Sequence, residues 1–280
     1  MTVTAATRVA GIIGDPVRHS LSPVLHNSAY QELGLDWIYV AFEVPAGRTR
    51  AALESMGALG LVGLSITMPH KTAASESCDD LSPDAVALHS VNTVSYAAGR
   101  LVGDSTDGEG FLRSLRDAGQ DPRGAAAVVL GAGGAARAVA RSLGRAGARV
   151  VVCARKPDAR ALAAELAGGT AAPWSERAEV CSAATLVVNA TPIGMAGSPD
   201  DTPVPATAFH AGQVFAELVY YPRETPMLRA ARARGADGVD GLGMLVHQAA
   251  LQVERWTGQT APIATMRAAA ERALAPAARG

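Results

Sequence analysis

The feature that most constrains the fold is a glycine-rich turn between a buried strand and a helix. Residues 126–130 are an apolar run typical of a buried strand, and the turn Gly131-Ala-Gly-Gly-Ala-Ala136 leads into a helix predicted to end near residue 145. In this context the G-x-G-x-x-A pattern predicts a dinucleotide-binding βα unit. Gly131 permits the tight turn, Gly133 lets the backbone approach a pyrophosphate, and Ala136 lets the helix pack closely on the strand. A flexible turn without a ligand is the alternative.

The exposed N–H groups of the turn and the dipole of the helix attract phosphate, so we expect the turn itself to bind the cofactor. The residues concerned are Gly131, Ala132, Gly133, Gly134 and Ala135. The end of the next strand, predicted over 149–153, indicates which dinucleotide binds. NAD sites usually place Asp or Glu there for the ribose 2′-hydroxyl, whereas this chain has Arg155 and Lys156. Because an arginine can bind a 2′-phosphate bidentately, the pattern predicts NADP; a solvated basic turn is the alternative.

Short strand-like runs alternate with helical stretches over nearly the whole chain, which predicts an α/β fold with mainly parallel sheets. A hairpin turn is predicted at Ala98-Gly99, and residues 197–207 are predicted to form a loop. Ser22 is predicted to cap a helix that has Pro23 at its first position. The predicted strands are 9–13, 37–43, 61–66, 91–95, 100–103, 126–130, 149–153, 186–189 and 214–218. The predicted helices are 23–33, 45–59, 108–118, the stretch from the end of the glycine-rich turn to about 145, 158–166 and 242–256.

The order of these elements predicts two domains. Residues 107–237 are predicted to form a Rossmann nucleotide-binding domain, because the glycine-rich unit begins a series of βα repeats there. The helix at 242–256 is followed by no strand, so residues 238–280 are expected to pack back on residues 1–106. The second domain is therefore predicted to be a discontinuous α/β substrate-binding domain.

Charge and composition exclude several classes of function. The net charge of −1 and a sequence pI of about 6.6 give no basic excess for nucleic acid or an anionic membrane. An uninterrupted apolar run long enough to cross a membrane is lacking, and the first residues lack a secretory signal pattern. The three cysteines have neither CxxC nor zinc-like spacing, so we expect buried thiols in a reducing cytoplasm and no metal site. A small-molecule partner is expected, and a homodimer is left open.

Polar clusters lie where predicted strands end, which is where open α/β sheets usually bind ligands. They are Ser20-Leu-Ser-Pro23, Ser65-Ile-Thr-Met-Pro-His-Lys71, Ser90-Val-Asn-Thr93 and Asp104-Ser-Thr-Asp-Gly108. Taken singly, each residue has an alternative role that involves no ligand. Ser20 and Ser22 would only cap a helix, Asn92 would be a turn residue, Asp107 would be an N-cap, and Lys71 would be an ordinary surface charge.

Taken together, the order and spacing of the motifs resemble the shikimate dehydrogenase family over almost the whole chain. The matching stretches are Ile13-Gly-Asp-Pro-Val-Arg-His-Ser-Leu-Ser-Pro23, Ser65-Ile-Thr-Met-Pro-His-Lys71, Val91-Asn-Thr93, Gly103-Asp-Ser-Thr-Asp-Gly108, Gly131-Ala-Gly-Gly-Ala-Ala-Arg137, Asn189-Ala-Thr-Pro-Ile-Gly-Met195, Leu218-Val-Tyr-Tyr-Pro222 and Asp240-Gly-Leu-Gly-Met-Leu-Val-His-Gln-Ala249. The resemblance implies NADPH-dependent, reversible reduction of 3-dehydroshikimate to shikimate, in the pathway to chorismate and the aromatic amino acids. It also implies the split domain arrangement.

The resemblance also implies the role of each site residue. Lys71 and Asp107 would form an acid–base pair, because oxygen gains negative charge as hydride arrives and needs a proton. Substrate would be bound by Ser20, Ser22, Thr67, Lys71, Asn92, Asp107, Tyr220 and Gln248, and cofactor also by Thr191, Gly241, Gly243 and Met244. Two positions depart from the family pattern. Many members carry Asn-Arg-Thr where this chain has Ala154-Arg-Lys156, and often Asp in place of Glu217.

Three alternatives are less consistent with these motifs. A quinate/shikimate dehydrogenase would accept a broader range of substrates, and NAD as well. A ligand-binding protein that senses a metabolite would not need the acid–base pair of Lys71 and Asp107. A methylenetetrahydrofolate dehydrogenase-like protein shares a split architecture, but it would not explain Ser20-x-Ser22 with Asn92 and Asp107.

Overall fold

The computed structural model describes residues 2–197 and 201–275 and divides the chain into two compact units. Unit 1 is formed by Met1–Thr106 and Gln248–Gly280, and unit 2 by Asp107–His247. Each unit contains one six-stranded sheet. Within the described ranges, no helix is long and apolar enough to cross a membrane.

The sheet of unit 2 is wholly parallel and has the strand order of a Rossmann fold. Its strands are β7 (Ala126–Leu130), β8 (Arg149–Ala154), β9 (Thr170–Pro173), β10 (Leu186–Asn189), β11 (Val214–Glu217) and β12 (Asp237–Val239). They lie in the order β12-β11-β10-β7-β8-β9, so the strand order reverses between β7 and β10. Ligands in such sheets bind at the carboxyl ends of the strands beside this switch point. The predicted Rossmann fold is confirmed.

The sheet of unit 1 is mixed. Its strands are β1 (Arg8–Gly14), β2 (Trp37–Glu43), β3 (Leu61–Ile66), β4 (Asp80–Leu81), β5 (Thr93–Ala97) and β6 (Arg100–Asp104), in the order β2-β1-β3-β5-β6-β4. β1 is parallel to β2 and β3, but β5 is antiparallel to both β3 and β6. β4 is parallel to β6, so five of the six strands run in one direction and the prediction of mainly parallel sheets is confirmed for both units, with β5 as the exception. Ala98 and Gly99 both have positive φ in the β5–β6 turn, as a tight hairpin requires.

Helices cover both sheets. They are α1 (Ser22–Glu32), α2 (Thr49–Leu59), α3 (Lys71–Ser75), α4 (Pro83–Leu88), α5 (Asp107–Asp117), α6 (Gly134–Arg145), α7 (Pro157–Leu166), α8 (Arg177–Ser182), α9 (Pro226–Ala233), α10 (Gly241–Thr257) and α11 (Ile263–Leu274). In unit 1, α11 packs against α1. A short 3-10 turn, Ala206–Ala208, begins within the loop predicted over 197–207 and ends just beyond it; residues 198–200 of the loop lie outside the described ranges.

Two predictions from the sequence were wrong. The return to unit 1 was predicted at residue 238, but it falls at Gln248, because β12 extends the sheet of unit 2 by pairing with β11. The first turns of α10 therefore still belong to unit 2. Ser22 does not cap α1: it is the first helical residue, Leu21 is the N-cap, and no side chain caps that end. The Ser22 hydroxyl instead accepts a hydrogen bond from the Ser20 hydroxyl at 3.2 Å.

Candidate active site and nucleotide site

Three chain segments of unit 1 meet where β1 and β3 end. The backbone N–H of Thr67, just after β3, donates to the carbonyl of Ile13 in β1 at 3.1 Å. The N–H of Asp15 donates back to the carbonyl of Met68 at 3.0 Å. Because β5 runs antiparallel to β3, its first residues lie at the same edge, and the carbonyl of Asn92 accepts from the N–H of Ile66 at 2.7 Å. The segments that carry Ser20, Thr67 and Asn92 are thereby fixed to one edge of one sheet.

A glycine makes the close approach of Thr67 to β1 feasible. A Cβ on Gly14 would lie 2.5 Å from the Cγ2 of Thr67, closer than two carbon atoms tolerate. Any side chain at position 14 would therefore push the Thr67 loop away from the end of β1 and displace its hydroxyl from this edge.

Lys71 begins α3, four residues after Thr67, and a buried histidine fixes the loop between them. His70 is 1% exposed and contacts the hydroxyl of Thr49 through Nδ1 and the carbonyl of Val44 through Nε2, each at 2.8 Å. The carbonyl of Lys71 also accepts a hydrogen bond from the N–H of Val91 at 3.0 Å. Loop and helix are thus anchored on both sides, and the half-buried Lys71 side chain projects from a fixed backbone.

Asn92 is buried, and hydrogen bonds within unit 1 fix the orientation of its amide. Its Oδ1 accepts from the N–H of Thr106 and from the hydroxyl of Thr93, both at 2.8 Å. Its Nδ2 donates to the hydroxyl of Thr106 at 2.9 Å and to Oε1 of Gln248 at 3.3 Å. The structure thereby brings Asn92 and Gln248 together, as a shared substrate site requires.

A glycine in β3 determines how closely the second half of α10 packs on the sheet. A Cβ on Gly63 would lie 2.2 Å from Cε2 of Trp256, so only glycine leaves space for the indole. On the same helix Gln252 is fully buried, and its Oε1 accepts a hydrogen bond from the hydroxyl of Ser65 at 2.7 Å. Neither Ser65 nor Gln252 was predicted as a site residue.

Asp107 and Tyr220 belong to unit 2, unlike the other predicted substrate residues. Asp107 is the first residue of α5 and is 7% exposed. A Cβ on Gly108 would lie 2.0 Å from the hydroxyl oxygen of Ser142, so this glycine permits α5 to pack closely on α6. Tyr220 is partly buried just after β11, and burial raises the pKa of its hydroxyl.

The glycine-rich turn has the geometry that a dinucleotide needs. Gly131 has φ +115°, which favours glycine, and a Cβ there would lie 2.9 Å from the carbonyl oxygen of Ala190. A Cβ on Gly133 would meet nothing within 4 Å, so the backbone of this residue faces open space. Gly133 is also the N-cap of α6, where the first N–H groups point out of the helix. The turn can therefore receive a pyrophosphate.

Arg155 and Lys156 lie at the carboxyl end of β8, next to this turn in the sheet. Both are exposed, and Lys156 is the N-cap of α7. β8 pairs with β7, and the N–H of Gly131 donates to the carbonyl of Cys153 at 2.9 Å. Two positive charges therefore stand where an NAD site would place a carboxylate, and these residues fit NADP.

The first turns of α10 pack against the loop after β11. A Cβ on Gly241 would lie 2.4 Å from the carbonyl oxygen of Val219, so the helix begins in close contact with that loop. Gly243 and Met244 follow in the buried first turns, and Met244 packs into the hydrophobic core of unit 2. A contact of Gly243 and Met244 with a nicotinamide stays a prediction.

Glu217, a position where this chain departs from the family pattern, connects two loops at the end of the sheet. Its carboxylate accepts hydrogen bonds from Nδ2 of Asn189 at 2.9 Å and from the hydroxyl of Thr225 at 2.8 Å. Asn189 in turn accepts from the N–H and the hydroxyl of Thr191, at 3.0 Å and 2.7 Å. Burial raises the pKa of Glu217 from 4.5 to about 7, although these hydrogen bonds lower it.

We expect Glu217→Gln to change how the stability of the fold depends on pH. A carboxyl whose pKa is raised on folding stabilises the fold fully below about pH 4.5, and this contribution is lost as pH rises through about 7. The shift from 4.5 to about 7 corresponds to about 3 kcal/mol. Wild type should therefore lose stability relative to the variant across that window, as measured by denaturant unfolding at a series of pH values.

Buried His26 has the opposite effect, because burial lowers its pKa to about 4 and the fold loses stability as pH falls. Its contribution is the same in wild type and in Glu217→Gln, so it cancels in their difference. A difference in unfolding free energy that stays constant with pH would contradict the prediction.

No group of three or more histidine, cysteine or acidic side chains in the described part of the chain is arranged to hold a metal ion. Cys78, Cys153 and Cys181 are all free thiols. Burial raises the pKa of each, to about 11 for Cys78 and Cys153 and about 12 for Cys181. They are thiols rather than thiolates at neutral pH.

Family models match three segments of the chain. Residues 12–94 match the shikimate dehydrogenase substrate-binding domain, and residues 241–271 match the shikimate 5′-dehydrogenase C-terminal domain. Residues 126–199, which include the glycine-rich turn, match an NADP oxidoreductase model described as coenzyme F420-dependent.

Similar proteins match nearly the full length. Shikimate dehydrogenase (NADP+) of Methanopyrus kandleri is 46% identical, over 96% of this chain and 97% of that protein. The crystal structure of shikimate 5-dehydrogenase from Thermus thermophilus with NADP(H) and shikimate is 39% identical with a TM-score of 0.89, over 95% of this chain and 100% of that one. Quinate dehydrogenase from Corynebacterium glutamicum with NAD has the same TM-score at 29% identity, over 95% of this chain and 99% of that one. Identity above 40% over nearly its full length shows that this chain belongs to the shikimate dehydrogenase family.

Proposed function

We propose that this protein is an NADP-dependent shikimate dehydrogenase that reduces 3-dehydroshikimate to shikimate reversibly. The observation that carries the proposal is the edge of the unit 1 sheet, where hydrogen bonds fix the segments that carry Ser20, Thr67, Lys71 and Asn92, and where Gln248 is bonded to Asn92. These segments carry hydroxyls, an ammonium group and two amides. A polyhydroxylated ring acid offers complementary groups to each of them. The names of the relatives support the same substrate and cofactor.

Each end of the substrate meets a different set of groups in this proposal. Ser20 and Ser22 bind the carboxylate beside the first turn of α1, with Thr67 and Tyr220 contributing further hydroxyls. Lys71, Asn92, Asp107 and Gln248 hold the ring hydroxyls. The fixed amides of Asn92 and Gln248 orient the ring, which matters because small misplacements of the reacting atoms cost rate.

The cofactor is held by unit 2 in the same proposal. The turn from Gly131 to Ala135 receives the pyrophosphate, Arg155 and Lys156 receive the 2′-phosphate, and Thr191, Gly241, Gly243 and Met244 lie toward the nicotinamide. When bound, NADPH supplies the hydride. Lys71 stabilises the charge that develops on the carbonyl oxygen and donates the proton, and Asp107 orients Lys71.

A steady-state assay of shikimate oxidation with NADP tests this function directly. We expect activity with shikimate that requires NADP. A metabolite-sensing protein would bind shikimate without turnover, so tight binding without oxidation would reject the proposal. The cytoplasmic location that the sequence predicts stays a prediction for cell fractionation, and light scattering would test the homodimer that the sequence leaves open.

The quinate dehydrogenase neighbour makes substrate choice a separate prediction. Quinate carries an extra hydroxyl on the carbon bearing the carboxylate, beside Ser20 and Ser22, and a saturated ring. A pocket does not strongly reject an added hydroxyl by shape alone, but a differently shaped ring also misplaces the reacting carbon. We therefore expect kcat/KM to favour shikimate over quinate by at least about tenfold. Equal values with NADP would place the enzyme in the broader quinate/shikimate class.

A further inference from the structure

A continuous series of buried hydrogen bonds in unit 1 runs from Tyr39 in β2 to Asn92 of the proposed substrate site. We name it the buried polar chain and define it as Tyr39, Ser65, Gln252 and Thr93. At one end the ring of Tyr39 stacks on His26, with centroids 4.0 Å apart, and Nδ1 of His26 lies 2.9 Å from the carbonyl oxygen of Ser22. At the other end the hydroxyl of Thr93 donates to Oδ1 of Asn92 at 2.8 Å.

Every hydrogen bond in this chain points the same way. The Tyr39 hydroxyl donates to the Ser65 hydroxyl at 2.6 Å, which donates to Oε1 of Gln252 at 2.7 Å. Nε2 of Gln252 donates to the Thr93 hydroxyl at 2.9 Å. A hydroxyl has one proton, so each member that donates forward must accept from the member before it. The hydrogen bond that Oδ1 of Asn92 accepts from Thr93 therefore depends on groups as distant as Tyr39.

Gln252 occupies the centre of the chain and also contacts the second amide of the site. Its Nε2 lies 3.4 Å from Oε1 of Gln248, which is one helical turn away on α10. Nδ2 of Asn92 also donates to this oxygen, at 3.3 Å. These two donors fix the orientation of the Gln248 amide, with its oxygen toward the sheet. The buried polar chain thus determines which atoms of Asn92 and of Gln248 face a ligand.

Stability alone does not require this arrangement. All four members are at most 4% exposed, and burying polar groups is costly unless each finds a partner. Apolar side chains of similar volume in such places are often neutral or stabilising. A core that only had to be stable would not need a glutamine between Ser65 and Thr93.

We propose that Gln252, acting through the buried polar chain, is a positioning residue that orients Asn92 and Gln248 for the substrate hydroxyls. This inference rests on the proposed function. Gln252 does not touch the substrate, and its effect is on the binding and orientation of the substrate rather than on the cofactor.

The experiment compares Gln252→Met with Gln213→Met in the full-length enzyme. Gln213 is 1% exposed in unit 2, and its side chain makes three hydrogen bonds, all to backbone groups, where Gln252 makes four. The two changes are therefore matched in volume and burial and differ by one lost partner. We expect Gln252→Met to raise the KM for shikimate about tenfold, the loss of one to two neutral hydrogen bonds, with KM for NADP within about twofold. Gln213→Met should change neither KM by more than about twofold, although both variants lose stability.

A second pair of variants keeps the test informative if Gln252→Met does not fold. Tyr39→Phe removes only a hydroxyl of the buried polar chain and keeps the ring stacked on His26, with centroids 4.0 Å apart. Tyr30→Phe removes a hydroxyl in the same cluster that is buried and has no hydrogen-bond partner among the described residues. Tyr39→Phe should raise the KM for shikimate about threefold, and Tyr30→Phe should leave it unchanged.

The outcomes distinguish this inference from the proposed function. A wild-type enzyme without activity on shikimate would reject the proposed function and this inference with it. An active wild type with an unchanged shikimate KM in Gln252→Met or in Tyr39→Phe would reject the inference alone. Parallel losses of shikimate and NADP affinity would also reject it, because they would indicate general damage to the fold.

Discussion

Lys71→Ala should lower turnover of shikimate by about two to four orders of magnitude, the usual contribution of a general acid or base. Lys71 stands on a backbone anchored by His70 and by the hydrogen bond from Val91, at the edge of the unit 1 sheet where Thr67 and Asn92 also lie. Shikimate affinity should fall much less, because Ser20, Ser22 and Asn92 remain. Pre-steady-state and steady-state oxidation with saturating NADP would measure the effect.

Lys71→Arg separates proton transfer from charge. Arginine carries the same positive charge as lysine, but it does not release its proton at any ordinary pH. The arginine variant should therefore bind shikimate but remain slow. Arg50→Ala, an exposed basic residue on α2 of the same unit, controls for a change in surface charge. Near-normal turnover in Lys71→Ala would show that Lys71 is not the acid.

Arg155→Asp should reduce the preference for NADP over NAD by about two orders of magnitude. The substitution removes a charged hydrogen-bond donor, whose bonds contribute about 1.5–3 kcal/mol, and places a repelling carboxylate at the end of β8. A carboxylate there also offers an acceptor to the ribose 2′-hydroxyl of NAD, so activity with NAD should rise. The ratio of kcat/KM for the two cofactors, measured at fixed shikimate, is the readout.

Arg149→Asp is the matched control, because Arg149 is exposed at the opposite end of the same strand. It makes the same change in charge without approaching the proposed phosphate site, and it should leave the ratio unchanged. A wild-type enzyme that used NAD as well as NADP would contradict the assignment of Arg155. If Arg149→Asp lowered the ratio as much as Arg155→Asp, the preference for NADP would depend on the overall charge of the protein and not on Arg155.

The Rossmann half of the fold was predictable from the sequence because its signals are local. The glycine pattern, the apolar run before it and the helix after it lie within about 20 consecutive residues, and each has one dominant physical interpretation. β12 has only three residues, Asp237–Val239, which is too short to show the alternation of apolar and polar residues that marks a strand. It belongs to the sheet only through its pairing with β11. That short strand is the reason why the boundary predicted at 238 was wrong.

The polar residues that support the site could not be predicted in the same way. Ser65 and Gln252 are 187 residues apart in the chain, and nothing next to either one indicates the other. The one local signal is the spacing of Gln248 and Gln252, which places two amides one turn apart on the same face of a helix. Ser20, Thr67, Lys71 and Asn92 were predictable only as a set, because each residue alone is an ordinary loop or helix-end residue.

Thr106 and Gln248 mark the two points where the chain leaves and re-enters unit 1, and the Thr106 hydroxyl donates to the Gln248 carbonyl at 3.2 Å. The 141 residues from 107 to 247 thus form a loop whose ends are hydrogen-bonded neighbours. Closing a flexible loop of that length costs about 4 kcal/mol of chain entropy. If residues 107–247 fold first, their ends already lie close together, and most of this entropy has been lost before unit 1 closes. This favours an order of folding in which unit 2 forms first and α10 and α11 dock on the unit 1 sheet last.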